Sequence, residues 1–182
     1  GIVGSNWTKD NLKSSAVIKS CTTDQASIIK GHGTTAGNGG SMRGVGGIAG
    51  QNWGGIILNC TNNATINGIS YIGGIVGSTK PSDTTQGNSN GYIIGCVNNG
   101  NIAASSGNVG GIAGENMSAN SLKSFIVACS SSASSISGSS YKGLLVGNNS
   151  KCFVYASWAK TINTIPLFGS SASDLYADVY AW

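Results

Sequence analysis

The sequence predicts an all-β chain: a parallel β-solenoid (β-helix) of about five coils, with three short strands per coil and an irregular C-terminal cap. Three observations lead there. The string Val-Gly-Gly-Ile-Ala-Gly occupies residues 45–50 and recurs letter for letter at 109–114, with Ile-Gly-Gly-Ile-Val-Gly at 72–77 and a decayed copy at 142–147. Unequal units of a few tens of residues signal a stacked repeat array. Aligned on that string, the units place Ile or a close substitute in three columns. Finally, 29 of 182 residues are Gly and only 9% are charged, while 40% are hydrophobic. That composition supplies a thin apolar core and tight corners rather than a charged globular surface.

Cutting after the double Gly gives units 1–46, 47–73, 74–110 and 111–143, a divergent 144–157, and a capping segment 158–182. The start at Gly1, already inside a unit, is expected of a piece of something longer. The first column is Ile2, Ile48, Ile75, Ile112 and Leu145, and the second is Ile18, Ile57, Ile93, Ile126 and Val154. The third, where the spacing slips by a residue, is Ile28, Ile66, Ile102, Ile136 and Ile162. Each apolar segment is short, β-branched and bounded by Gly, Asn or Ser, which are strand signals. No segment sustains a helical period. Stacked coils would sit ~4.8 Å apart, each column becoming a ladder of like side chains.

Two further columns follow the same register. Asn6, Asn52, Asn116 and Asn149, with Thr79 as the exception, stand just past the glycine corner. Asn tolerates left-handed backbone and bonds local amides, so a structural Asn ladder is expected. Cys21, Cys60, Cys96 and Cys129 each fall three residues after the second Ile column, with Ser157 in the last unit and Cys152 off-column. Equivalent positions on parallel strands orient Cβ atoms poorly for a disulfide torsion, so free buried thiols are expected. Residues three apart lie on opposite faces of a regular strand, which requires a bulge or corner between each Ile and its Cys.

The chemistry-bearing residues are sparse. Asp10, Asp24, Asp83, Glu115, Asp174 and Asp178 share no column, and His32 is the lone histidine. Glycoside hydrolysis needs two facing carboxylates and a nucleophilic triad needs a base beside Ser or Cys, so no catalytic residue, cofactor or metal is predicted and the chain is expected not to be an enzyme. A net charge of +4 comes from singly scattered lysines and arginine, unlike the clustered charge of a nucleic-acid footprint. No run approaches the ~20 apolar residues of a membrane span.

Length varies at one corner, between the Gly-Gly-Ile element and the second strand, at 6–16, 78–91 and 115–124. A Gly-rich excursion at 31–43 carries His32 and Arg43. Loops on one side of a solenoid often form its binding face. The candidate binding-surface residues are therefore Trp7, Lys9, Lys13, Trp53, Lys80 and Lys123. Trp7 and Trp53 follow ladder asparagines and are expected to neighbour each other on adjacent coils, either stacking on sugar rings or shielding a corner. Residues 158–182, aromatic and poor in Gly, are expected to cover the open end of the array.

The unit Gly-Gly-Ile-(Ala/Val)-Gly-x-Asn, then Ile-x-x-Cys-(Thr/Val/Ser)-Asn, then Ile and Gly-Gly, seen best at 46–60 and 110–129, resembles the GLUG motif. That motif occurs in bacterial surface and adhesin-like proteins and in non-catalytic repeats of IgA-specific metallopeptidases. The resemblance covers about residues 1–157. It implies a β-solenoid and an extracellular or cell-surface location. The implied role is a non-enzymatic binding surface or stalk meeting host glycan, matrix or a cell-envelope component. A carbohydrate-active or carbohydrate-binding β-helix and end-to-end self-association into filaments are the alternatives. The zinc-binding helix of those peptidases has no counterpart here.

Overall fold

The computed structural model describes residues 1–8, 15–31, 44–84, 87–172 and 175–182. Among them the chain is all β, and its strands stack into parallel sheets that follow one another around each coil. The first sheet comprises Val3–Trp7, Ala49–Trp53, Val76–Lys80, Ala113–Met117, Val146–Ser150 and Phe168–Ala172. The second comprises Val17–Lys19, Ile56–Leu58, Gly91–Ile94, Ser124–Val127, Phe153–Tyr155 and Leu175–Ala177. A third runs from Thr61–Asn62 through Val97–Asn98, Ser130–Ser131 and Trp158–Ala159 to Tyr180–Ala181. Ile28–Gly31, Thr65–Gly68, Ile102–Ala104 and Ile136–Ser137 form the fourth sheet. Val45–Gly46, Ile72–Gly73, Val109–Gly110 and Lys142–Gly143 form the fifth.

The solenoid is as expected, and its coil is more finely divided. The three anticipated strands are the first, second and fourth sheets. The third and fifth are two-residue ladders, too short for any periodicity to reveal. The aromatic segment also differs from an irregular cap. Phe168 pairs with Val146, Tyr176 with Val154 and Tyr180 with Trp158, so its strands continue three sheets as a sixth rung. Parallel pairing needs only backbone groups, and it persists where the motif letters are gone.

Backbone hydrogen bonds link the first column rung by rung, from Ile2 through Ile48, Ile75 and Ile112 to Leu145, and onward to Leu167. The second column pairs in register from Ile18 to Val154. The third column is corrected by one residue at its start. Ile29 pairs with Ile66, whereas Ile28 faces Thr65 and is 60% exposed. A one-residue slip exchanges the two faces of a strand, and the ladder selects the isoleucine that points inward. Ile162 packs against the core from beyond the last strand of the fourth sheet.

The spacing problem between Ile and Cys is solved by backbone handedness. Ser20, Asn59, Ala128, Ala156 and Asp178 all have φ between 45° and 55°, and Gly95 has φ 61°. Each immediately precedes the cysteine column or its continuation in Ser157 and Val179. A single left-handed residue turns the chain between the second and third sheets, so Ile57 and Cys60 both point inward. Five of the six are not Gly, although this conformation costs an L-residue ~1–2 kcal/mol; the closed coil imposes it.

All five cysteines are free, Cys21 half-buried and the others buried. The column is held by hydrogen bonds, Cys60 Sγ accepting from Cys21 N–H (3.4 Å) and Cys96 Sγ from Cys60 N–H (3.5 Å). Ser157 continues the pattern, accepting from Cys129 N–H at 3.1 Å. Off-column Cys152 precedes Phe153 as Gly55 precedes Ile56, and both carbonyls accept from a ladder asparagine, Asn149 and Asn52 respectively.

Candidate functional site

Two buried polar ladders set the shape of the outer surface. In the first, Asn6 Nδ2 donates to Asn52 Oδ1 at 2.8 Å and Asn116 Nδ2 to Asn149 Oδ1 at 2.8 Å. Thr79 interrupts it, accepting from Asn52 Nδ2 and donating to the Asn52 carbonyl, each at 3.3 Å. The second was not foreseen. The Thr23 hydroxyl donates to Asn62 Oδ1 at 2.6 Å, and Asn62 Nδ2 donates to Asn98 Oδ1 at 2.8 Å. These amides satisfy corner carbonyls that would otherwise be stranded in a water-free interior, and so fix where outward side chains project.

Three of the predicted surface residues come together on the outer face of the first sheet. Trp7 and Trp53 are register partners whose rings stack with centroids 5.6 Å apart. Lys80 is the next rung, with its Nζ 3.4 Å from the Trp53 ring centroid. Trp53 is thus sandwiched between an aromatic face and a cation, an arrangement favoured by the ring quadrupole. Trp7 keeps an outer face and is 46% exposed. Lys123 lies elsewhere, immediately before the Ser124–Val127 strand and close enough to Cys152 to act on its thiol. Its own N–H donates to Asn90 Oδ1. Lys9 and Lys13 lie outside the described residues.

The insertions at 78–91 and 115–124 share one corner, while residues 9–14 of the insertion at 6–16 lie outside the described residues. Between the first and second sheets the chain makes the antiparallel hairpin Ser82–Thr84 with Gly87–Ser89, and one coil later a turn closed by Ala119 and Leu122. The excursion at 32–43 is outside the described residues.

The sequence reading missed the outer face of the second sheet. There Val17, Ile56, Tyr92, Phe125 and Phe153 are register partners in turn. Tyr92 stacks on Phe125 with centroids 5.1 Å apart, and Phe125 on Phe153 at 5.0 Å. Tyr155 adds a ring 5.5 Å from Phe153 on the same strand. Rings this close and this nearly parallel are offset-stacked, and Tyr92, Phe125 and Phe153 are each half-buried. Val17, Ile56, Tyr92, Phe125 and Phe153 each immediately precede a member of the second Ile column, which was the available signal.

A second unforeseen feature is a groove of about 350 Å³ at the corner between the third and fourth sheets, lined by Gln25, Asn63, Thr65, Asn99, Gly100 and Asn101. Its side chains are neutral and polar. Asn99 Nδ2 donates to Asn63 Oδ1 (2.9 Å), and Asn63 Nδ2 to the Thr23 carbonyl (3.0 Å).

Titratable groups are dispersed among the described residues. Glu115 is 5% exposed, accepting from Asn108 Nδ2 at 2.9 Å and from the Ser78 hydroxyl at 3.4 Å. Asp24 accepts from the Ala26 N–H. No group of three or more His, Cys, Asp or Glu is placed to hold a metal among the described residues. No helix among them is long and apolar enough to cross a membrane. Three of the buried thiols, Cys60, Cys96 and Cys152, are poor nucleophiles. Burial pushes Cys60 up from 9.0 to about 11, and Cys152 likewise to about 11, with Lys123 pulling the other way. The adjoining Cys129 thiol and burial hold Cys96 well above the usual thiol range.

These ladders and columns define a repeat module of the parallel β-solenoid class. Within it, the family model of the GLUG motif matches residues 43–67, the stretch that runs from the fifth sheet through the first, second and third to the fourth and so makes one turn. No curated protein and no solved structure matches the chain.

Proposed function

We propose that the chain is a non-enzymatic extracellular module of a bacterial surface protein, a rigid stalk that presents its outward columns to host glycan, matrix or a cell-envelope component. The observation that carries this reading is the continuity of those columns. Tyr92, Phe125 and Phe153 on one face, and Trp7, Trp53 and Lys80 on another, repeat along the stack with their positions set by buried ladders. Preorganised surface of this kind lowers the entropic cost of binding. Repeat arrays commonly use such extended surfaces for recognition. The dispersed carboxylates lend no support to polysaccharide cleavage.

The test is retention of the purified chain on immobilised matrix proteins, glycans and cell-envelope preparations, with soluble sugar release measured in parallel. Saturable retention without turnover is the expected result. Turnover of any polysaccharide would replace this reading with that of a carbohydrate-active β-helix, and absence of retention on every surface would overturn it.

A further inference from the structure

We propose that the amide-lined groove between the third and fourth sheets is a binding site for a neutral saccharide. This deepens the surface-module reading and rests on it. Three consecutive coils build the groove, contributing Gln25, then Asn63 and Thr65, then Asn99, Gly100 and Asn101. Its volume of about 350 Å³ lies at the lower end of small-molecule sites, which suits a mono- or disaccharide unit rather than a protein segment.

The hydrogen bonds divide into those that hold the site and those that remain for a ligand. Asn99 Nδ2 is committed to Asn63 Oδ1, and Asn63 Nδ2 to the Thr23 carbonyl. Asn101 Oδ1 accepts from the N–H groups of Ser134 (3.1 Å) and Ser135 (3.0 Å). These contacts lock the three amides in place across neighbouring coils. Among the described residues, Asn99 Oδ1, Asn101 Nδ2, the Thr65 hydroxyl and the Gln25 amide make no hydrogen bond beyond these. The groove therefore offers donors and acceptors together, at fixed positions and without a charge.

That mixture selects a chemical class. A sugar hydroxyl both donates and accepts, so adjacent hydroxyls meet amide oxygen and amide nitrogen alike. A phosphate, sulfate or carboxylate would find no cation in the lining to replace its hydration, and the neighbouring Asp24 carboxylate would repel it. The lining has no aromatic ring, so affinity rests on hydrogen bonds alone, which places Kd in the millimolar range.

The experiment is a titration of ¹⁵N-labelled chain with cellobiose, lactose and N,N′-diacetylchitobiose, following the side-chain amide resonances, with glucuronate as the anionic control. The expected result is saturable shifts at Gln25, Asn63, Asn99 and Asn101 with at least one disaccharide. Asn99→Ala and Gln25→Ala should each weaken binding about fivefold. Gln25 is exposed and its side chain makes no hydrogen bond among the described residues, so the melting temperature of Gln25→Ala should match the parent. Silence of these amides up to about 100 mM, or equal shifts with glucuronate, would overturn the proposal. Shifts confined to Trp7 and Trp53 would overturn it too, while leaving the surface-module reading standing.

Discussion

Gly74 packs directly against the side chain of Asn98: a β-carbon on Gly74 would overlap Asn98 Cγ and the Gly111 carbonyl. The same relationship recurs between Gly47 and Asn62 and between Gly111 and Ser131. In the next coil both partners change together. Leu144 stands where the glycine was, 2% exposed, and Ala159 stands where the Asn or Ser was. The decayed copy of the motif is therefore an exchange of volume, an apolar side chain filling the space that a shorter ladder residue vacates.

That exchange predicts asymmetric mutational costs. Gly74→Ala should destabilise the chain by about 1–3 kcal/mol, because neither the Asn98 amide nor the carbonyl can retreat from a close-packed interior. Ala159→Asn should cost a similar amount, since Leu144 occupies the space an amide would need. Denaturant unfolding of both variants checks this, and an unchanged midpoint for Ala159→Asn would show that Leu144 does not use the space.

The interrupted Asn ladder predicts a gain. Asn116 Oδ1 is buried without a hydrogen-bond partner among the described residues, and its missing donor would come from position 79. Thr79 has one hydroxyl hydrogen and gives it to the Asn52 carbonyl. An Asn there would accept from Asn52 Nδ2 and donate to Asn116 Oδ1, as Asn6 and Asn116 do for their neighbours. Thr79→Asn should raise stability by about 1 kcal/mol, visible as a higher melting temperature; a lower one would refute the ladder logic.

What could be read from the letters was what burial forces to repeat. The Ile columns and the first Asn ladder recur because every coil buries the same positions. The left-handed corners at Ser20, Asn59, Gly95 and Ala128 share no residue type, since the constraint there falls on the backbone. The outer ladder Val17, Ile56, Tyr92, Phe125 and Phe153 is apolar throughout but never repeats a letter until its last two rungs. The amide groove draws on three coils, so only stacking brings it together. Of the surface candidates, Trp7 and Trp53 are already paired by the asparagines they follow, whereas Lys80 joins them only through register, and Lys123 lies apart.

The same corners predict substitutions that act without touching a contact. Ala128 and Ala156 are exposed residues held at φ 52° and 45°. Replacing either by Gly relieves the steric penalty, offset by the greater freedom of the unfolded chain. The net gain should be about 0.5–1 kcal/mol. Ala128→Val should lose about 1–2 kcal/mol, because a β-branched side chain is least tolerant of the left-handed region. Paired thermal melts of the two Ala128 variants should move in opposite directions.

The buried thiols set an alkaline limit on stability. Burial raises Cys60 and Cys152 from 9.0 to about 11 in the folded chain. The folded state therefore holds these protons where the unfolded state has released them. By linkage, their contribution is fully present below pH 9 and is lost as pH climbs from about 9 to about 11. Unfolding midpoints should accordingly decline across that window, and Cys60→Ala should flatten the decline at the cost of a small cavity. A thiol reagent at neutral pH should reach half-buried Cys21 first and the interior thiols only after denaturation. Rapid labelling of Cys60, Cys96 or Cys129 in the folded protein would mean that the coil opens locally, against the continuous core that its ladders describe.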